Sequence, residues 1–147
     1  MNDAPGLPLD ELPLDQRQTF KTWTFDKLRF ADTDLNGHVN NAAFATFCES
    51  GRVAFLYDDK DPWAPPGHAF VVVRLAIDFR AELFYPGIVD IGTRVTRIGR
   101  SSFTMGQGVF RDALCAATAE SICVLIDEAT RRSVALPPTL RERLNGL

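Results

Sequence analysis

From Phe30 to Asn41 the chain reads FADTDLNGHVNN. Two acids (Asp32 and Asp34), one of only two histidines (His38) and the pair Asn40–Asn41 fall in this one short segment. It precedes an apolar stretch with helical spacing, so Asn40 or Asn41 is placed to cap a helix. A helix start presents unpaired backbone N–H groups and about half a positive charge. An acid held there, such as Asp34, is favoured in its ionised form, and the same N–H groups can receive a developing oxyanion. A carboxylate beside an oxyanion site can hydrolyse an ester or thioester, either by attacking the carbonyl or by activating a water. The same residues also suit plain loop building. Asp and Asn form caps and Asx-turns, Gly37 supplies a left-handed turn residue, and His38 can be a hydrogen-bonded loop side chain. Spacing alone leaves both readings open.

The elements that must position these residues can be read from periodicity. Phe20 to Phe30, FKTWTFDKLRF, alternates imperfectly and is rich in aromatic residues and threonine, which predicts a strand. After the polar segment, Phe44, Phe47, Cys48, Gly51, Ala54 and Phe55 recur at steps of three and four, one face of a helix. Glu49 and Arg52 sit three apart on its other side. Gly51 in mid-helix is tolerable if that face lies very close to a sheet. Pro62, Pro65, Pro66 and Gly67 break the helix. In FVVVRLAIDFR the spacing places Val71, Val73, Leu75, Ile77 and Phe79 on the buried face of a strand. Three further antiparallel strands are predicted at about 87–98, 101–111 and 115–127, and a short helix after the prolines at 137–138. One amphipathic helix and one antiparallel sheet then bury each other's apolar faces, an α+β arrangement.

Size and composition bound the rest. The chain has 147 residues, 46% of them hydrophobic, which is enough for one domain with a real core. Residues 1–18, with three prolines and several acids, read as a poorly ordered lead-in to a single domain over 19–147. A net charge of −3 gives no global pull toward nucleic acid or an anionic membrane. Thirteen of the sixteen basic residues are arginine, which suits phosphate binding but equally suits genomic base composition. Cys48, Cys115 and Cys123 form no CxxC and read as buried small hydrophobes. No metal site is expected. With no signal peptide or membrane-length apolar run, the expected location is the cytoplasm.

The stretch RFADTDLNGHVNNAAFATFCESGRVAFL resembles the signature of the hot-dog-fold acyl-CoA thioesterases, in the branch typified by 4-hydroxybenzoyl-CoA thioesterase. The pattern is an Asp-x-Asp pair, then Gly-His-Val-Asn-Asn, then a helix with an acid and an arginine near its middle. It continues in FVVVRLAIDFR, GIVDIGTRVTRIGRSSFTMGQGVF and VLIDEATRRSVALPPTLRERL, covering roughly residues 24–145. The resemblance implies a hot-dog fold, one long central helix wrapped by a five-stranded antiparallel sheet. It implies hydrolysis of an acyl- or aroyl-CoA thioester, with coenzyme A as part of the substrate and no separate cofactor. Asp34 matches the catalytic carboxylate, and the Asn41 N–H matches the donor to the thioester carbonyl. His38 and Asn40 match positions that hold the loop and helix start. Glu49 is the rival acid, since another branch carries its catalytic glutamate on the helix. It lies about 12 Å along the axis from the helix start and would need another oxyanion donor.

Phe44 is a candidate for the acyl pocket, and Arg97, Arg100, Ser101 and Ser102, at one predicted hairpin, are candidates for the coenzyme phosphates. A solvated turn is the plainer reading of that hairpin. The resemblance further implies sites between two subunits, in a homodimer or a dimer of dimers. Two alternatives remain on the same fold. A hydratase or dehydratase would place the histidine one residue later, and a non-catalytic acyl-CoA-binding module would not need Asp34.

Overall fold

In the computed structural model, the described residues are Pro8, residues 10–57 and residues 60–146. Strand β1 (Thr22–Lys27) leads into the polar loop, followed by helix α1 (Asn41–Leu56). Strands β2 (His68–Phe79), β3 (Ile88–Ile98), β4 (Ser102–Arg111) and β5 (Leu114–Asp127) follow, and helix α2 (Pro138–Asn145) closes the chain. All pairings are antiparallel, in the order β1-β3-β4-β5-β2. This is the expected α+β hot-dog architecture. The predicted strand and helix positions hold to within a few residues.

Helix α1 lies against the face of the sheet that carries Ile91, Thr93 and Gln107. A Cβ at residue 51 would stand 2.7 Å from Ile91 Cγ2 and 2.8 Å from Thr93 Oγ1, and would run into the Gln107 amide. Glycine is therefore required by close approach. The approach also lets buried Gln107 Nε2 donate to the Cys48 carbonyl (2.9 Å) and to Thr93 Oγ1 (3.1 Å), tying mid-helix to mid-sheet. Two apolar clusters share this interface. Phe44, Phe47, Val39, Leu83 and Val89 pack around the start of α1. Phe55, Leu56, Val95, Phe103 and Leu140 pack around its end.

Three details differ from the sequence reading. Arg52, expected on the open side of α1, is buried, while Ala54 is exposed. The register of β2 slips between Val72 and Arg74, a bulge that moves the inward face from Phe70 to Leu75 and Ile77. Val73 is consequently 61% exposed and Phe79 is also exposed. Strict alternation over 71–79 does not anticipate an inserted residue.

The third difference is the lead-in. Residues 1–7 and 9 lie outside the described part, but residues 10–19 are held rather than loose. Arg94, on the opposite face of the sheet and buried, donates to the carbonyls of Leu12 and Thr19. The Asp15 carboxylate pairs with Arg80 at 2.8 Å. Leu14 covers Gly106 and Phe20 covers Gly92, where any side chain would collide with them.

Candidate active site

The loop before α1 is a small closed hairpin. Thr33 bridges Val39, Asp34 N–H donates to the His38 carbonyl (3.1 Å), and Gly37 N–H donates to the Asp34 carbonyl (3.0 Å). Gly37 has φ +82°, a left-handed conformation that costs glycine nothing. Asp34 Oδ1 accepts the Asn36 N–H at 2.9 Å, an Asx-turn that leaves Oδ2 free to face His38 Nδ1 at 3.8 Å. The Asp34 side chain is 23% exposed, so it is neither sealed nor in bulk solvent. Asp32 is structural. Its carboxylate accepts the Arg29 N–H (2.8 Å) and its carbonyl accepts the Asn40 N–H (2.7 Å).

Asn40 is the helix cap. Its Oδ1 accepts the Ala42 N–H at 2.8 Å and its carbonyl accepts the Ala43 N–H at 2.9 Å. Among the described residues none accepts from the Asn41 N–H, so the first donor of α1 stays open. Asn41 lines a cavity of about 320 Å³ together with His38, Phe44, Phe79 and Glu82. His38 stands between two acids, with Nε2 at 3.8 Å from Glu82 Oε1. Phe44 packs edge-on against Phe79, with ring centroids 5.3 Å apart, and forms the apolar wall. The structure thus brings Asp34, His38, Asn40, Asn41 and Phe44 to one end of α1. Asp34 itself stands behind His38 rather than in the cavity wall.

The sequence reading did not single out Glu82. Leu83 accepts the Val39 N–H through its carbonyl (2.8 Å), and the Gly87 carbonyl accepts the Leu28 N–H (2.9 Å). Segment 83–87 therefore buttresses both ends of the loop. Arg111 holds it from behind by donating to the carbonyls of Phe84 (2.7 Å) and Pro86 (2.9 Å). Backbone contacts of this kind leave no side-chain signal in a sequence.

The other predicted residues lie elsewhere. Glu49 is exposed and lines a separate cleft beside the second half of α1. Arg97, Arg100, Ser101 and Ser102 form the β3–β4 turn at the far end of β3, next to α2. The ten steps along β3 from Gly87 to Arg97 separate these residues from segment 83–87 by about 33 Å. Arg97 shares a pocket with Arg141, which the sequence reading did not pick out. Among the described residues no three His, Cys, Asp or Glu side chains are grouped to hold a metal. Among the described residues no helix is long and apolar enough to cross a membrane. Burial raises the Cys48 and Cys123 thiols to about 11, so both stay protonated and inert, as expected of core cysteines.

The chain is similar to known thioesterases in sequence and fold. The long-chain acyl-CoA thioesterase FadM of Escherichia coli K12 is 29% identical over 125 residues, covering 82% of this chain and 95% of that protein. A 1,4-dihydroxy-2-naphthoyl-CoA hydrolase from Synechococcus elongatus is 25% identical, covering 80% of this chain and 90% of that one. A thioesterase from Thermus thermophilus, solved in complex with coenzyme A and zinc, superposes with a TM-score of 0.75 at 31% identity, covering 85% of this chain and 98% of that one. The profile of the thioesterase-like superfamily matches residues 28–144, and the chain belongs to that family.

Proposed function

We propose that this protein hydrolyses the thioester of an acyl- or aroyl-coenzyme A, with Asp34 as the reacting carboxylate and the Asn41 N–H as oxyanion donor. The observation that carries the reading is the open first donor of α1 in a cavity flanked by His38, with Asp34 beside that histidine. The thioester carbonyl oxygen accepts the Asn41 N–H, where the electropositive helix end stabilises the tetrahedral oxyanion. Asp34 either attacks the carbonyl carbon or takes a proton from a water that does. Collapse of the intermediate breaks the C–S bond, and the thiolate leaves and is protonated; on the direct route a water then cleaves the acyl–Asp34 anhydride, releasing the acid and restoring the carboxylate. His38, set between Asp34 and Glu82, positions the loop, and Phe44 borders the acyl group.

The relatives' substrates, a long-chain acyl-CoA and an aroyl-CoA, leave both kinds of acyl group open to this chain. A homodimer fits the same reading. Strand β2 is a twelve-residue edge strand with exposed Val72, Val73 and Phe79, the kind of edge a second subunit covers. If Arg97 and Arg100 hold the coenzyme phosphates, their distance from Asn41 requires them to come from a second subunit. The test is Asp34→Asn. Turnover of a panel of acyl-CoAs is expected to fall roughly 10²–10⁴-fold with the oligomer intact. Near-normal turnover in the folded variant would remove Asp34 from the chemistry.

A further inference from the structure

The second half of α1 and strand β2 enclose a cleft of about 340 Å³ that is separate from the cavity at the helix start. Leu56, Phe70, Val72 and Cys123 give it apolar walls, and one cation, Arg52, faces it. Arg52 is only 8% exposed. A guanidinium has five donors, and a buried charge is costly unless it is paired. Among the described residues, Arg52 makes one hydrogen bond, from Nη1 to the neutral Ser121 Oγ at 3.1 Å, and no ion pair. Glu49, one helical turn away, lines the same cleft but lies outside ion-pair range. The other Arg52 nitrogens are not sealed either, because the only buried side-chain nitrogen or oxygen atoms without a partner among the described residues are Arg94 Nε and Gln107 Oε1. For a residue this buried, the opening is the cleft it lines.

We propose that this cleft binds a carboxylate carried on an apolar stem, with the carboxylate on Arg52 and the stem along Leu56, Phe70 and Val72. A carboxylate matches the planar fork of a guanidinium and supplies the missing counter-charge. A stem suits the walls, whereas a bare inorganic anion would leave them unused. The ligand could be a free carboxylic acid or the far end of an acyl group that bears a second carboxylate, in the latter case one held at a second subunit's site, because Arg52 lies about 16 Å along α1 from Asn41 and Leu56 lies beyond it. The second source rests on the thioesterase reading, and the first does not.

The test begins with the wild-type protein, titrated with hexanoate and with hexanol while the Arg52 Nε–H resonance is followed. Saturable displacement by hexanoate and none by hexanol is expected. No displacement by hexanoate or adipate, as when an acid of a second copy already occupies Arg52, overturns the proposal. Hydrolysis of adipoyl-CoA and hexanoyl-CoA by wild type and Arg52→Met then separates the sources. A tenfold or greater fall in the adipoyl-to-hexanoyl ratio of kcat/KM assigns the cleft to the acyl end. An unchanged ratio, with hexanoate inhibition lost in the variant, assigns it to a free acid. Loss of neither overturns the proposal. Failure to cleave any acyl-CoA would strike the thioesterase reading and leave the titration result standing.

Discussion

The gathering of Asp34, His38 and the Asn40–Asn41 pair at one end of α1 could be read from the sequence because it is local. Loop, cap and helix start are contiguous, so their spacing carries their geometry. Arg52 could not be read this way, because its inward turn depends on Ser121, sixty-nine residues further along the chain. Glu82 was missed for a similar reason, since backbone pairing of its neighbour Leu83 with Val39 delivers it to His38. Cys48 and Cys123 were legible as core residues, whereas Cys115, near the start of β5, is only half-buried, and the burial of the first two has a consequence for pH. Native Cys48 and Cys123 hold their protons to about pH 11, against a reference value of 9.0. The unfolded chain releases them earlier and so binds fewer protons over that interval, which makes stability fall as pH rises. Denaturant midpoints measured from pH 8 to 11 should therefore decline, and Cys48→Ala with Cys123→Ala should flatten the decline.

At the scale of elements, the helix period and the antiparallel strands were legible because one face of each is buried. The bulge in β2 was not, because one inserted residue exchanges the faces without changing composition. Gly51 shows how helix and sheet specify each other. On propensity alone, Gly51→Ala should stabilise α1 by about 1 kcal/mol. Against this sheet the new methyl meets Ile91, Thr93 and Gln107, and overpacking costs about 1–3 kcal/mol. The net prediction is destabilisation, read as a lower urea midpoint with unchanged slope. The clash also pushes the helix off Gln107, so the hydrogen bond to the Cys48 carbonyl should weaken, with faster exchange of the Gln107 side-chain amide protons.

For the whole molecule, the fold and family were legible, while the distribution of the site was only implied by resemblance. One chain places Asp34 and Asn41 at one end of β3 and the Arg97–Ser102 turn at the other. A two-subunit site predicts complementation. Asp34→Asn and the Arg97→Ala/Arg100→Ala double variant should each be impaired alone. Random mixing of their subunits should restore about a quarter of the sites, because each two-fold heterodimer carries one intact pair. Sites built within single chains would gain nothing from mixing. In the proposed reaction the Asp34 carboxylate and the open N–H of Asn41 meet at one reactive carbon. A crystal structure with an acyl-CoA ketone analogue, in which CH₂ replaces the thioester sulfur, tests it most directly. The ketone oxygen should lie within hydrogen-bond reach of the Asn41 N–H, with the carbonyl carbon beside Asp34, directly or through one water. A ketone bound against Glu49, with the Asn41 N–H making no contact to the analogue, would contradict it.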